Sequence, residues 1–401
     1  MQRAFSGVAF VVCLALVVTF SVPAGAKVGS TPSMFSVNLD VPYHGQITPY
    51  YCGAATAQMW IQYATGTFVD QDTLFWDYEH GIWWNNWEPW YWYTSPHGLA
   101  VTVSYYLEES PFATVSAPAT ISEYSYQDPS VAVVYQAQSI TEYHQPSAAL
   151  VWHGNHWMLV KGVVFQEKPE LIKGFFVHDP WAYRPDYGSI GEDSYKTLVA
   201  WVHVYFTATA YGELWYNDRV TVEYNADGVH STTVAPAYAY APGLPPMSTN
   251  GVSMQDIVTA AKQGFAENGL YDPGSFGPEF MGAEPQDPIR VQSLSADIPD
   301  YYIVPFVQKG NIVAAALVGA DNAVFLEASA GTVNANAYLP LTTNQVAKAM
   351  ESLAGERLAS GPVLSWMPLD TPSDMYHPFW VGTTATGAQV VVDLDGSPME
   401  L

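Results

Sequence analysis

Only two cysteines occur in the 401-residue chain, Cys13 and Cys52. Cys13 lies in an amino-terminal segment that reads as removable. Met1-Gln-Arg3 is a short basic head, an apolar run follows from about Gly7 to Val22, and Pro23-Ala-Gly-Ala26 offers the small residues of a signal-peptide cleavage site. The apolar run is short for a membrane anchor, and no later segment is apolar enough to span a bilayer. The expected product is a secreted, extracellular chain that begins near Lys27, carries no membrane anchor and keeps one thiol. A single thiol closes no internal disulfide, so the fold has to be held by packing.

Composition permits that. Hydrophobic residues make up 49% of the chain, enough for sizeable cores, and a mature length of about 375 residues suggests two or three domains. The net charge is −25, and loss of Arg3, the one charge before position 27, makes it −26. So acidic a protein is a poor partner for nucleic acid or for an anionic membrane. The acidic residues are scattered, as on a solvated surface.

Along the chain, Val37-Asn-Leu-Asp-Val41 alternates like a strand. Pro42 and Pro49 keep the next stretch extended. From Cys52 to about Tyr63 the run CGAATAQMWIQY favours a helix with Ala55, Met59, Trp60 and Tyr63 on one face. Residues 75–97, dense in tryptophan and tyrosine, read as a long loop that packs on the core or walls a cleft. Residues 98–107 read as helix. From Ser130 onward the pattern reads as strands: 148–152, 156–165, 174–178 and 198–206, with Glu167–Lys173 as a hairpin extension. This predicts an α+β first domain over 36–210, a helix-bearing half followed by an antiparallel sheet. Residues 211–250 read as a linker or crossing segment. An accessory α+β domain over 251–401 follows, built from two helix-plus-sheet repeats. Ser253-Met-Gln-Asp256 caps its first helix and Thr343 its second. The two repeats loosely resemble the PepSY-like units found beside secreted peptidases.

Chemistry gathers around Cys52. A thiol becomes a nucleophile when it loses its proton near neutral pH, which a helix N-terminus and a neighbouring imidazolium both favour. Cys52 stands where a proline-broken segment turns into helix, and Gly53-Ala-Ala55 let backbone amides approach a carbonyl. Gln46, six residues upstream, could aim its side-chain NH₂ at the same oxygen, forming an oxyanion hole with the Cys52 amide. Among the histidines, His156 follows a Gly-Asn turn and opens an apolar strand. Asp179 ends the next strand in Val177-His178-Asp179-Pro180-Trp181, where it could hold the far ring nitrogen of His156. Taken singly, each has a plainer reading: a small buried cysteine, a turn glutamine, a strand-edge histidine, a turn-starting aspartate. The order Gln, Cys, His, Asp is what lifts them together.

The blocks YHGQITPYYCGAATAQMW, GNHWMLVKGV and FVHDPW resemble the papain-like cysteine peptidases, and within them the peptidase C39-like group, a resemblance that covers about residues 36–208. The resemblance implies a papain-like fold and peptide hydrolysis through a thioester. It implies Cys52 as nucleophile, His156 as general base and acid, Asp179 as its orienter and Gln46 as oxyanion donor. The best-known members are fused to membrane transporters and trim leader peptides after paired glycines. No transporter follows here, so that specificity does not carry over. A peptide or protein substrate is expected, with no cofactor and no metal. Two rivals stand beside this reading. One is a metal site from His153, His156, His178 and Asp179, which leaves Cys52 and Gln46 unexplained. The other is a catalytically idle papain-like fold used for binding.

Overall fold

The computed structural model describes residues 33–76, 94–109, 120–167, 170–182, 184, 186–209, 217–225, 251–335, 337–368 and 374–399. The signal segment, residues 77–93 of the aromatic stretch and residues 226–250 of the crossing segment lie outside the described residues, with the readings made of them. Among the described residues no helix is long and apolar enough to cross a membrane.

The protein is a mixed α+β structure on one large, mostly antiparallel sheet of 15 strands. The amino-terminal half supplies β1 (Met34–Asn38), α1 (Cys52–Thr65), α2 (Pro96–Ser104), β2 (Thr120–Tyr126), α3 (Pro129–Thr141), β3 (Ser147–Val151), β4 (His156–Glu167), β5 (Glu170–His178), β6 (Asp193–Thr197), the single turn α4 (Leu198–Ala200) and β7 (Arg219–Asn225). The carboxy-terminal half supplies α5 (Met254–Glu267), β8 (Glu284–Pro285), β9 (Ile289–Ser293), β10 (Tyr301–Gln308), β11 (Asn311–Gly319), β12 (Phe325–Ala330), α6 (Thr343–Ala354), β13 (Leu358–Trp366), β14 (Phe379–Thr384) and β15 (Gln389–Val392). The spatial order is β15-β14-β13-β9-β10-β11-β12-β6-β5-β4-β3-β7-β2, with β1 on β4 and β8 on β10. Among the described residues the one parallel pairing joins β9 to β13.

β4 is the axis of the amino-terminal half. Its 12 residues carry β5 along one edge and β3, then β1, along the other. At Gly162 the chain of β1 comes so close that a Cβ would sit 2.8 Å from the Val37 carbonyl oxygen, so only glycine fits there. In the charged run 167–173, Glu167 pairs with Glu170, and beside it Gln166 pairs with Leu171, continuing the β4–β5 ladder.

Helix α1 packs on β4 and α2. Every residue from Cys52 to Ile61 is buried, so the helix is enclosed all round rather than on one face, which its small alanines allow. A Cβ on Gly53 would meet Thr94 Oγ1 at 2.2 Å. Gly66, in the left-handed region at φ 72°, ends the helix and returns its N–H to the Gln62 carbonyl. Ser253 and Thr342 each close a capping box, at α5 and α6.

Two segments differ from the strands their sequence suggests. Residues 129–141 form α3, because Asp128 caps the Ser130 amide and Pro129 takes the first helical turn. Residues 198–205 form a helical turn, because the Thr197 side chain accepts from Ala200 N and starts a coil into Trp201–Tyr205. Both runs are β-branched and apolar, and such short runs do not distinguish a buried helix from a strand.

The two halves share the sheet at the β6–β12 ladder, where Lys196 stands opposite Glu327. Lys196 Nζ lies 2.7 Å from Glu327 Oε1, with both side chains 2% exposed. The Tyr205 hydroxyl donates to the other carboxylate oxygen, and the Lys196 ammonium sits 3.8 Å over the Tyr205 ring. Removing one member leaves the other buried without compensation. Lys196→Met or Glu327→Leu alone should cost about 3–5 kcal/mol. Equilibrium urea unfolding should show both losses and their near-disappearance in the double variant; single variants as stable as the parent would contradict a dry pair.

Candidate active site

Cys52 is the first residue of α1. Its N-cap, Tyr51, makes no side-chain capping bond, and no acidic residue occupies the first turn. The first backbone bond in this turn runs from Ala55 N to Tyr51 O, at 2.8 Å. The amides of Cys52, Gly53 and Ala54 therefore lie ahead of the helical ladder, at the positive end of its dipole. The Tyr51 hydroxyl donates to Asp72 Oδ1 at 2.7 Å and fixes the residue before the thiol.

His156 opens β4, and Asp179 follows the last residue of β5. The antiparallel register sets Leu159 opposite His178, which brings the two site residues to the same end of the hairpin. His156 Nε2 donates to Asp179 Oδ1 across 2.8 Å. The same oxygen accepts the Trp181 amide at 2.9 Å. The Asp179 carbonyl accepts from the Tyr43 hydroxyl at 2.9 Å and from Ala182 N, so the carboxylate is held from several sides.

The pair is dry: His156 is 0% exposed and Asp179 2%. Burial alone would strip the proton from the imidazole. It is outweighed by the Asp179 carboxylate, through charge and hydrogen bond, and by the Cys52 sulfur, and the His156 pKa rises from 6.5 to about 9. Nε2 is spent on Asp179, which leaves Nδ1 for the thiol. Nδ1 is buried and has no hydrogen-bond partner among the described residues, while the Cys52 sulfur bears on the ring electrostatically. The indole of Trp181 stacks on the imidazole, with centroids 4.0 Å apart and planes 17° apart. Trp152 lies nearly parallel to both rings.

Gln46 is 7% exposed and Cys52 4%, so both residues are buried. The Gln46 amide bonds to the Pro180 carbonyl, which ties its segment to the Asp179 turn. Its Nε2 donates to Thr48 O at 2.8 Å, so one side-chain hydrogen is taken locally and the other remains. Of the other histidines, His178 lies between the carbonyls of Val41 and Glu192. Burial and the Lys161 charge lower its pKa to about 4, so it is neutral and serves to join β5 to the Val41 segment. His153 bonds the Ala208 carbonyl. Those imidazoles go to separate places, and no metal-ligating group of three or more occurs among the described residues.

The Trp152-His153-Gly154 turn before His156 bears on the site. Trp152 has φ 49° and His153 φ 60°, both left-handed and neither a glycine. Such residues cost about 1–3 kcal/mol each and persist only where surrounding contacts enforce them. The contacts here are Asn155 Nδ2 to Trp152 O at 2.8 Å and His153 N to Thr207 Oγ1 at 3.0 Å. Sequence reasoning missed the aromatic shell. Trp181 had a signal, standing two residues after Asp179; Trp152 had none, because its neighbours come from distant segments.

Because the folded protein holds the His156 proton more tightly than an unfolded chain, this stabilisation is full below about pH 6.5 and fades as pH rises through about 9. Asp179→Asn removes the charge that opposes burial. The imidazole titration, followed by ¹⁵N NMR, should then drop from about 9 to below the ordinary 6.5; a midpoint left near 9 would show that another group holds the proton.

Compared with protein-family models, with curated proteins and with solved structures, the chain matches none of them, so its function rests on the geometry of this site.

Proposed function

We propose that the protein is a secreted thiol hydrolase, a papain-like cysteine peptidase that cleaves peptide bonds through a thioester. One observation carries the reading. A cysteine at the uncapped start of a buried helix bears electrostatically on an imidazole whose far nitrogen is held 2.8 Å from a buried carboxylate. That is the nucleophile, base and orienter arrangement of acyl transfer.

In this mechanism the Cys52 proton resides on Nδ1 of His156, whose raised pKa keeps the ring charged at neutral pH, and the sulfur attacks the peptide carbonyl carbon as a thiolate. The carbonyl oxygen becomes an oxyanion at the first-turn amides of α1. The Gln46 NH₂ supplies a further donor with the hydrogen not bonded to Thr48. The carbon–nitrogen bond breaks, the His156 proton passes to the departing amine, and an acyl thioester remains on Cys52. Water then gives its proton to His156 and attacks the thioester, and the acid leaves as the thiol is restored. Asp179 keeps the ring aligned and stabilises its charge throughout. The chemistry uses no metal or cofactor.

A second reading, a papain-like module without catalysis, is favoured by the 4% exposure of Cys52. The two are separated by hydrolysis of a mixed fluorogenic peptide library. Under the peptidase reading Cys52→Ala lowers the rate by roughly 10⁴-fold or more. The rate also falls on the alkaline side near pH 9, where His156 loses the proton it must deliver. Iodoacetamide should label Cys52 in the folded protein at mildly acidic pH. Equal hydrolysis by parent and Cys52→Ala, or a thiol inert until the protein unfolds, would favour the binding module.

A further inference from the structure

We infer that Trp366, in the carboxy-terminal half, is a positioning residue for His156 and acts on it through Trp152. The inference rests on the reading of Cys52, His156 and Asp179 as a hydrolytic centre.

Trp366 is the last residue of β13. Its carbonyl accepts from Leu294 N at 2.8 Å, and its strand pairs with β9 at Ser293. The residue is fully buried. Its ring lies 5.5 Å from that of Trp152 at a 58° tilt. Trp152 in turn lies 5.4 Å from the His156 ring and 5.5 Å from Trp181, nearly parallel to both. The Tyr205 ring also lies 5.6 Å from that of Trp152, tilted by 35°. Tyr205 itself is anchored to the second half by its bond to Glu327 and by Met375.

Two features make the buttress consequential. The indole N–H groups of Trp152 and Trp181 are buried and have no hydrogen-bond partner among the described residues. The orientation of the Trp152 ring is therefore set by packing rather than by a polar tether. Its backbone is also in the left-handed region, as is that of His153, and for a residue as bulky as tryptophan that conformation is an outlier. A turn of this kind relaxes when the packing that enforces it is removed, and His156 is four residues from Trp152. On the far side of the turn, His153 Nε2 lies 3.5 Å from Asp297, a second contact from the carboxy-terminal half, exposed and weaker.

The groups that bear electrostatically on His156 are Asp179 and Cys52. Trp366 carries no charge, so a change in His156 on replacing it reports geometry rather than field. The test compares the parent with Trp366→Ala, Trp366→Leu and Trp366→Phe. Val363→Ala, an exposed position on the same strand, serves as control. His156 titration is read by ¹⁵N NMR, and the pH profile of Cys52 alkylation is read alongside.

In Trp366→Ala the His156 midpoint should fall by about one pH unit or more, a tenfold loss in proton affinity, with a matching move in the alkylation profile. Trp366→Leu should shift part of the way, Trp366→Phe should restore most of the parent behaviour, and Val363→Ala should change neither readout. If Trp366→Ala does not fold, Trp366→Leu decides. A folded Trp366→Leu or Trp366→Ala variant with the parent's midpoint and profile overturns the inference, even where the parent hydrolyses peptides. A shifted midpoint in a protein that hydrolyses nothing sustains the positioning role and removes the hydrolytic reading instead.

Discussion

The ladder between β6 and β12 is the constraint on which the arrangement depends. It makes one sheet out of two halves whose sequences describe separate helix-plus-sheet units. An edge strand offers unpaired backbone groups, and proteins hide such edges by pairing or covering them. Here each half hides its edge against the other. The cost is a lysine and a glutamate in the seam, fully withdrawn from water. Burial raises the Glu327 pKa, against the opposing pull of Lys196, and the Tyr205 hydroxyl fills the second carboxylate oxygen. A buried pair of this kind stabilises little against an apolar seam of the same shape, but it penalises any register in which the partners miss each other. A strand slip of one residue would separate the pair and set Lys196 opposite Leu326 or Ala328.

From that seam the position of the site follows. β6 leads to β5, β5 to β4, and the open end of the β4–β5 hairpin is where His156 and Asp179 meet. The helix carrying Cys52 lies across β4, so one strand orients both the imidazole and the bed on which the thiol rests. The carboxy-terminal half reaches the same place by its own route, through Trp366 and Trp152. It is thus part of the structure around the site and not an appendage joined only by the crossing segment.

Much of the site was legible in the sequence because its signals are local. A proline-broken segment before an alanine-rich run places Cys52 at a helix start, and a Gly-Asn turn before an apolar run places His156 at a strand edge. Asp179 before Pro180 marks the end of the neighbouring strand. The helices of the carboxy-terminal half were legible for the same reason: Ser253 with Asp256 announces the first cap, and the second falls at Thr342, which closes its box with Gln345, one residue before the Thr343 expected from sequence. What failed was discrimination inside apolar runs. VAVVYQAQSI of α3 and LVAWVHVYF after Thr197 are β-branched and continuous, and only the caps at Asp128 and Thr197 decide for helix. The seam was illegible for a different reason. Lys196 and Glu327 are 131 residues apart, and nothing local distinguishes a charge that will be buried with a partner from one on the surface. The burial of Cys52 was hidden likewise, because it is a sum over elements from several parts of the chain.

The basicity of His156 shows how these levels combine. Excluding water acts twice and in opposite senses. It penalises the imidazolium, which drives the proton off, and it removes the screening between the ring and Asp179, which holds the proton on. In a loosely packed site both effects shrink and the imidazole would titrate near its ordinary value. In a dry site both are large, and the sign of their difference depends on whether the 2.8 Å bond keeps its alignment. A small rotation of the ring would retain the whole penalty of burial and give up much of the attraction. The aromatic shell of Trp181 and Trp152 is what resists that rotation. The proton affinity of His156 is therefore a property of the packing around the ring as much as of the carboxylate beside it.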